Sequence, residues 1–484
     1  MKATSLFGGV QVFNILVSIV RSKFIALFIG PEGMGIAGLL NTTLNLVNGA
    51  TNLGLDKSGV KDISFAASNG TEREVSKTVS VLKRLVWITG IAGAVLMIVF
   101  SWLLSRLAFG DNTYGYAFIW LALALLFRQL ASGELAVLQG MRKLKYLASA
   151  NVVGNLAGLI ITVPLYYFFR LDAIVPAIII STFLGFIFTY YYGNKIKLEK
   201  VPVRNSQVFS EGKEMVKLGI TLSISGMIAL LAAYVIQVYI SAKGGVTQVG
   251  YYTAGIVILN TYVGLIFNAM ATDYFPRLAA IANSIEKVRK AVFEQAYIAV
   301  LLITPIILVF LVLAPLIITI LYTEDFLPVV VFVTWGIMGM LLKAASWSVG
   351  YVIIAKGDSS LFIKTAIVFS SLLVLFNIGG YYFGGLEGLG ISFCMYYFLH
   401  FIGLVIITYF RYRFYFKTEF YAIFLACTVM VITGFLLGYW EESLTRYVLQ
   451  GVIALLSIIF AVYFLNKKMD IREVIQNFMD RRKK

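Results

Sequence analysis

Residues Ile174–Gly193 read IVPAIIISTFLGFIFTYYYG, twenty residues without one charged side chain. An α-helix rises about 1.5 Å per residue, so this stretch reaches about 30 Å, the thickness of a bilayer's hydrocarbon core. The chain turns polar on both sides. Arg170 and Asp172 stand just before it, and Lys195, Lys197, Glu199 and Lys200 just after. A segment so apolar and so sharply bounded predicts a membrane-spanning helix.

The same pattern recurs along the whole chain. Of 484 residues, 60% are hydrophobic and 13% charged, against roughly 25% charged in a soluble domain. There are too few polar residues to cover a water-exposed surface of this size. Windows of span length predict fourteen helices, at 4–29, 35–55, 85–107, 115–138, 147–169, 174–193, 217–241, 249–272, 292–321, 328–355, 362–383, 388–410, 419–440 and 445–466. The fold class expected is an all-α integral membrane protein of about 14 transmembrane helices. It comprises two pseudo-symmetric six-helix lobes and two C-terminal helices.

Charge placement sets the orientation. With the N-terminus inside and the spans alternating, the inside segments hold 32 of the 40 Lys and Arg residues. The outside segments hold four: Arg106, Arg170, Lys243 and Arg446. One missed span would invert every later loop and destroy this bias. Both termini are therefore expected in the cytoplasm. The net charge of +16 then reads as a basic face beside anionic lipid, not as a nucleic-acid surface.

Other classes are disfavoured. No cleaved signal peptide is evident, because the first apolar stretch is broken by Gln11, Asn14 and Arg21. Two cysteines, Cys394 and Cys427, and a single histidine, His400, offer no disulfide framework and no metal-ligand spacing. No metal and no cofactor is expected.

The gap at 194–216, with Pro202 and mixed charge, reads as a cytoplasmic linker. It separates an N-terminal lobe at 1–193 from a C-terminal lobe at 217–410. Spans thirteen and fourteen follow at 411–466, then a basic tail at 467–484. A weak internal repeat supports two lobes. IGPEGMGIAGLLNTTLNLVN at 29–48 and KGGVTQVGYYTAGIVILNTYVG at 243–264 share a glycine turn, then Gly35 or Gly250, then an Asn-Thr pair, Asn41–Thr42 or Asn260–Thr261.

Charged side chains inside spans are the functional candidates. Arg21, Lys23, Arg128 and Lys343 fall there, and each costs roughly 2.5–3.5 kcal/mol at a helix centre. Lys23 lies near the outer interface, within snorkelling reach. Glu134 is the one acid placed within a span, so the cations exceed it. That excess points to negative charge arriving with a ligand, and makes Glu134 the candidate for coupling to a proton or cation. Gln11, Asn14, Ser18 and Arg21 share one helix face, as do Asn41, Asn45, Asn48 and Asn52. Together the two faces predict an amide-lined polar cavity suited to hydroxyl-rich ligands. Asn151 and Asn155 read first as interhelical glue. Pro305 and Pro315 read as static kinks, and His400 as a satisfied buried histidine.

RSKFIALFIGPEGMGIAGLLNT at 21–42, LGLDKSGVKDISFA at 53–66 and VGYYTAGIVILNTYVGLIFNAMATDYFPRLA at 249–279, with the plan of twelve spans plus two, resemble the Wzx-type oligosaccharide-lipid flippases. These are O-antigen translocases of the polysaccharide transporter family in the MOP superfamily, which also contains the MATE exporters and lipid II flippases. The resemblance implies two six-helix lobes working by alternating access in the bacterial inner membrane. It also implies an undecaprenyl-diphosphate-linked oligosaccharide as substrate, membrane lipid around it and polysaccharide assembly proteins as partners. Arg21, Arg128 and Lys343 fit by position the cations expected in such a cavity. A MATE-like exporter and a polytopic lipid-sugar enzyme are the alternatives.

Overall fold

Helix capping and glycine breaks divide the chain where hydropathy alone cannot. The computed structural model describes residues 2–199, 201–441 and 443–468, and among them there is no strand. The basic tail beyond residue 468 lies outside the described residues, as do the side chains of Gln11 and a few others. Fifteen α-helices follow in order. They are α1 (Lys2–Asn52), α2 (Leu55–Asn69), α3 (Glu72–Val99), α4 (Ser101–Phe109), α5 (Gly115–Gly140), α6 (Leu144–Phe169), α7 (Ile174–Gly193) and α8 (Asn205–Gly244). Next come α9 (Val246–Ile256), α10 (Leu265–Ala280), α11 (Ile285–Leu321), α12 (Val329–Ala355), α13 (Ser359–Tyr412), α14 (Thr418–Leu437) and α15 (Leu444–Lys468).

Among the described residues, eleven helical stretches are long and apolar enough to cross a membrane. Three of these, of 40, 50 and 54 residues, are roughly twice the length one crossing needs, and each is broken near its middle. Phe13–Asn52 breaks at Gly30 (φ 63°, ψ −168°), Leu144–Gly193 at Arg170–Ala173, and Ser359–Tyr412 at Gly384 and Gly385. Counting each as two gives the fourteen spans expected. The break at Gly30 redirects the chain. The first half of α1 runs beside α6, with Asn14 against Asn155 and Phe28 against Arg170. The second half runs opposite to α8 and the start of α9, from Gly35 beside Val246 to Gly49 beside Leu230. A side chain on Gly35 would meet the Gly250 backbone, and one on Gly250 the Gly35 backbone, so this crossing needs both glycines.

One boundary moves with consequence. Thr71 and Glu74 form a reciprocal cap, with Thr71 N–H donating to Glu74 Oε2 at 2.8 Å and Glu74 N–H to Thr71 Oγ1 at 3.4 Å. Such a box starts a helix. Accordingly α3 begins at Glu72 and not near 85, which brings Lys83 into the helix. Pro305 and Pro315 both sit inside α11.

The contacts group the helices into two compact units, residues 1–253 with 320–326, and residues 254–319 with 327–484. In the first, Leu55, Ile63, Leu82, Val86, Leu130, Val137 and Val208 make a buried core between α2, α3, α5 and α8. Large apolar side chains also stand bare on the outside, among them Phe168, Phe383, Phe410 and Leu444. In water such a surface would aggregate; in lipid it is solvated.

Candidate cation and amide sites

The second half of α1 presents Asn41, Asn45, Asn48 and Asn52, all half-buried. Asn45, Asn48 and Asn52 line one cavity of about 400 Å³ in the first unit, together with Asp56, Lys57, and Ser223 of α8. Asn48 Oδ1 is buried there without a protein partner. Asn41 is not part of that lining, and its amide donates back to Ala37 O at 2.8 Å within its own helix.

From α5, Arg128 donates to Asn45 Oδ1. The next residue, Gln129, is fully buried and donates to Asn52 Oδ1 at 3.0 Å and Thr89 Oγ1 at 2.8 Å. Asn52 in turn donates to Asp56 Oδ1 at 2.9 Å. The asparagine face is thus held by α5 and ends on a carboxylate.

Arg21 is not brought to this cavity. Its Nη2 donates to Asn155 O on α6 at 3.3 Å, beside Gly158, and Asn155 Nδ2 donates to Asn14 Oδ1 at 3.0 Å. Because the chain turns at Gly30, the two halves of α1 face different neighbours. Lys23 donates to the carbonyl of Tyr322. Asn151 bonds to Leu147 O in its own helix.

In the second unit, Lys343 of α12 donates to Asn260 Oδ1 at 2.7 Å. Its ammonium lies 5.2 Å from the Tyr397 ring centroid and 5.8 Å from that of Phe267, within cation–π range. Asn260 sits in the widened turn Val257–Val263, a π-type insertion of the kind frequent at functional sites. His400 packs its ring on Phe369 at 4.4 Å, near Tyr396 and Tyr397.

The two cation–amide pairs occupy one register. Asn45 and Asn260 are 215 residues apart, and so are Arg128 and Lys343. The same offset joins Gly30 (φ 63°) to Gly245 (φ 81°), Arg142 (φ 53°) to Gly357 (φ 69°) and Arg170 (φ 51°) to Gly385 (φ 55°). It also carries Gly140 and Leu144, which bound the turn after α5, onto Ala355 and Ser359, which bound the turn after α12. The repeat is real, but the expected match of Asn41 with Asn260 is one helical turn out, and Asn45 is the partner.

Glu134 lies six residues beyond Arg128, about 240° round the helix, and so on another face. It pairs with Lys83 of α3 at 2.7 Å. None of the ion pairs among the described residues uses Arg21, Arg128 or Lys343. These cations are held by carbonyl or amide oxygens, which satisfy a donor without cancelling its charge.

Sequence reasoning missed Gln129, Thr89, Asp56, Ser223 and Lys83. Gln129 was legible as a polar neighbour of Arg128, and Lys83 from the capping box that moves α3. Ser223 left no signal, since nothing in its own segment marks the cavity.

A family model described as "Polysaccharide biosynthesis protein" matches residues 24–331. A search of curated proteins gives no match. Among solved structures, the chain resembles a lipid II flippase MurJ in an inward closed conformation, at a TM-score of 0.71 and 12% identity, over 96% of this chain and 99% of that one. It also resembles an inward-facing multidrug resistance MATE family transporter of the MOP superfamily, at a TM-score of 0.69 and 14% identity, over 85% of this chain and 95% of that one. An outward-facing structure of that transporter family gives 0.60 and 14%, over 87% of this chain and 96% of that one. At these identities the likeness establishes the fold.

Proposed function

The chain belongs to the polysaccharide biosynthesis protein family, and we propose that it is a flippase. Its substrate is an undecaprenyl-diphosphate-linked oligosaccharide. It moves this lipid from the cytoplasmic to the outer leaflet of the bacterial inner membrane by alternating access, for surface polysaccharide assembly. Residues 1–193 and 217–410 are the two lobes, joined by 194–216, with 411–466 and the tail 467–484 appended. Both termini face the cytoplasm, where most of the basic residues fall. Polysaccharide assembly proteins are its partners.

One observation carries the reading, the cation–amide pair repeated in each half, Arg128 on Asn45 and Lys343 on Asn260. An amide oxygen holds the cation in place and leaves its charge for an anion. Phosphate oxygens are the natural replacement, bound by the Arg fork or the Lys point charge. Arg21, with Nε buried and unpartnered, supplies a third cation, and Lys23 a fourth toward the outer interface. The saccharide rests on Asn45, Asn48 and Asn52, while Asn41, bonded within its own helix, is left out of that surface, and the prenyl tail stays in lipid. A site of unpaired positive charge disfavours the export of cationic drugs.

The test is flipping by the purified protein in liposomes, with an undecaprenyl-diphosphate oligosaccharide inside and a sugar-modifying probe outside. Flipping by the native protein is expected, with strong loss in well-folded Arg128→Ala. No flipping of any such lipid, with uptake of an organic cation instead, overturns the assignment.

A further inference from the structure

The Lys83–Glu134 pair lines a second cavity of the first unit, of about 390 Å³, with Ser76 and Ser80 of α3, Tyr190 of α7, and Asn194 and Glu199 beyond it. Glu134 is 6% exposed. One carboxylate oxygen, Oε1, takes the Lys83 ammonium at 2.7 Å, while the other, Oε2, is buried against Gly193 with no hydrogen-bond partner. Lys83 is 36% exposed by its side chain, so its long stem can leave the pair for the open part of the cavity.

Helix packing does not require this pair, and the repeat supplies the control. By the 215-residue register Glu134 corresponds to Val349, and Lys83 to Ile298. The register holds in these helices, since Arg128 matches Lys343, and buried Thr89 matches buried Thr304. Ser76 and Ser80 become Ala291 and Gln295. Val349 is fully buried, so the position matching Glu134 in the other half is filled by an apolar side chain. Replacing a buried ion pair by well-packed apolar groups is often neutral or stabilising. A pair kept in one half alone, with one oxygen left unsatisfied, is a cost without a packing return.

We propose that Glu134 and Lys83 form a proton-exchange site confined to the first lobe, opening to the face that carries the basic loops. One proton binds the Glu134 carboxylate and gives the neutral acid. The ammonium of Lys83 is released, still protonated, into the cavity. On deprotonation the pair re-forms and the proton leaves. The other titratable groups facing Glu134 are Tyr190 of α7 and Glu199 beyond that helix. Arg128, on the same helix, bonds Asn45 instead. Helix α2 also packs on α5 but adds no lining residue. A metal cation fits this site poorly. Bound at Oε2, it would share one carboxylate with the Lys83 ammonium, and the two like charges would repel.

The coupling of this exchange to transport rests on the flippase reading, but the exchange itself is measurable without any substrate. Full-length protein is titrated in membranes by infrared difference spectroscopy, following the carbonyl band of a protonated carboxylic acid. A band that appears on acidification, is absent in Glu134→Gln, and shifts its midpoint by about one pH unit or more in Lys83→Met is the expected result. The double variant Lys83→Ile with Glu134→Val, which copies the other half, is expected to keep its thermal midpoint and lose the band. An identical band in Glu134→Gln, or a spectral change driven by Na⁺ at constant pH, overturns the proposal. So does unfolding of the double variant, which would make the pair structural. If the band behaves as expected but no lipid is flipped, the exchange site stands and the substrate assignment fails.

Discussion

The two halves of this chain share a backbone register and one polar device, and differ in most of what surrounds it. Arg128–Asn45 and Lys343–Asn260 sit 215 residues apart, with the cation on the later helix and the amide on the earlier one. Around Asn45 the first half places Asn48 and Asn52. Around Asn260 the second half has Val263 and Phe267 at the matching positions. The first half therefore surrounds its cation with amides, and the second with aromatic rings such as Phe267 and Tyr397. What the halves share is what both need to hold an unpaired cation, and what differs is free to specify ligand and coupling.

The largest expected effect tests the shared device. A charge-assisted hydrogen bond contributes about 1.5–3 kcal/mol. Arg128→Ala and Lys343→Ala should each lower flipping about 10- to 100-fold in liposomes. Arg128→Lys should retain more activity than Arg128→Ala, because the charge survives although the fork geometry does not. Full activity in well-folded Lys343→Ala, beside a dead Arg128→Ala, would break the functional equivalence of the halves.

The next effect tests a difference. Gln129 is buried and donates to both Asn52 and Thr89, whereas its counterpart is the buried Ala344. Gln129→Leu leaves the buried Thr89 hydroxyl and the half-buried Asn52 amide oxygen without that donor, at about 1–3 kcal/mol. A clear drop in the thermal midpoint is expected, with distortion of the asparagine face. An unchanged midpoint would mean that the amide face orders itself without α5.

Hydropathy made nearly every span legible, since lipid as solvent leaves few other ways to place so many apolar runs. Boundaries governed by local hydrogen bonding were not. The Thr71–Glu74 box lies in polar sequence that a hydropathy window averages away, and it decides that Lys83 lies in a helix. The Asn face of α1 was legible from spacing alone, and so were Arg128 and Lys343 as intramembrane cations. Their partners were not, because Asn45 and Asn260 lie 83 residues from the cations they hold. The Asn-Thr pairs at 41–42 and 260–261 are a two-residue likeness, one turn off the register. The structural register instead follows left-handed residues at turns, where backbone geometry tolerates little drift.

That register supplies a smaller test. Arg170 (φ 51°, ψ −125°) and Gly385 (φ 55°, ψ −132°) hold the same conformation, one that favours glycine. A non-glycine residue there carries on the order of 1–3 kcal/mol of strain. Arg170→Gly relieves it but loses the bond to Phe28 O at 3.0 Å, so a net gain of about 1 kcal/mol or less is expected. Gly385→Arg should lower the midpoint, since it adds the strain with no bond to offset it. A tolerant Gly385→Arg would show that the second half's turn is not fixed by its backbone.

The smallest effect concerns one helix start in each half. Lys143 (φ −80°, ψ 58°) and Asp358 (φ −79°, ψ 74°) stand at the same position before α6 and α13, but Asp358 alone has a side chain able to cap. Its Oδ1 accepts Leu361 N–H at 3.1 Å, and its Oδ2 accepts Arg411 Nη2 at 2.9 Å. The Leu361 amide, then Arg411, hold its carboxyl below the ordinary carboxylate range. A depressed folded value means that the stabilisation is complete above the unfolded value of about 4, and is lost as pH falls through the folded one. Thermal midpoints of the native protein and Asp358→Asn should therefore differ most near neutral pH and converge under acid. Lys143→Asp places the same cap opposite Tyr146 N–H and should stabilise α6 by about 0.5–1 kcal/mol, again only above that pH. If Lys143→Asp gains nothing, the likeness of the two turns ends at the backbone, and α6 takes its start from packing on α1 and α7.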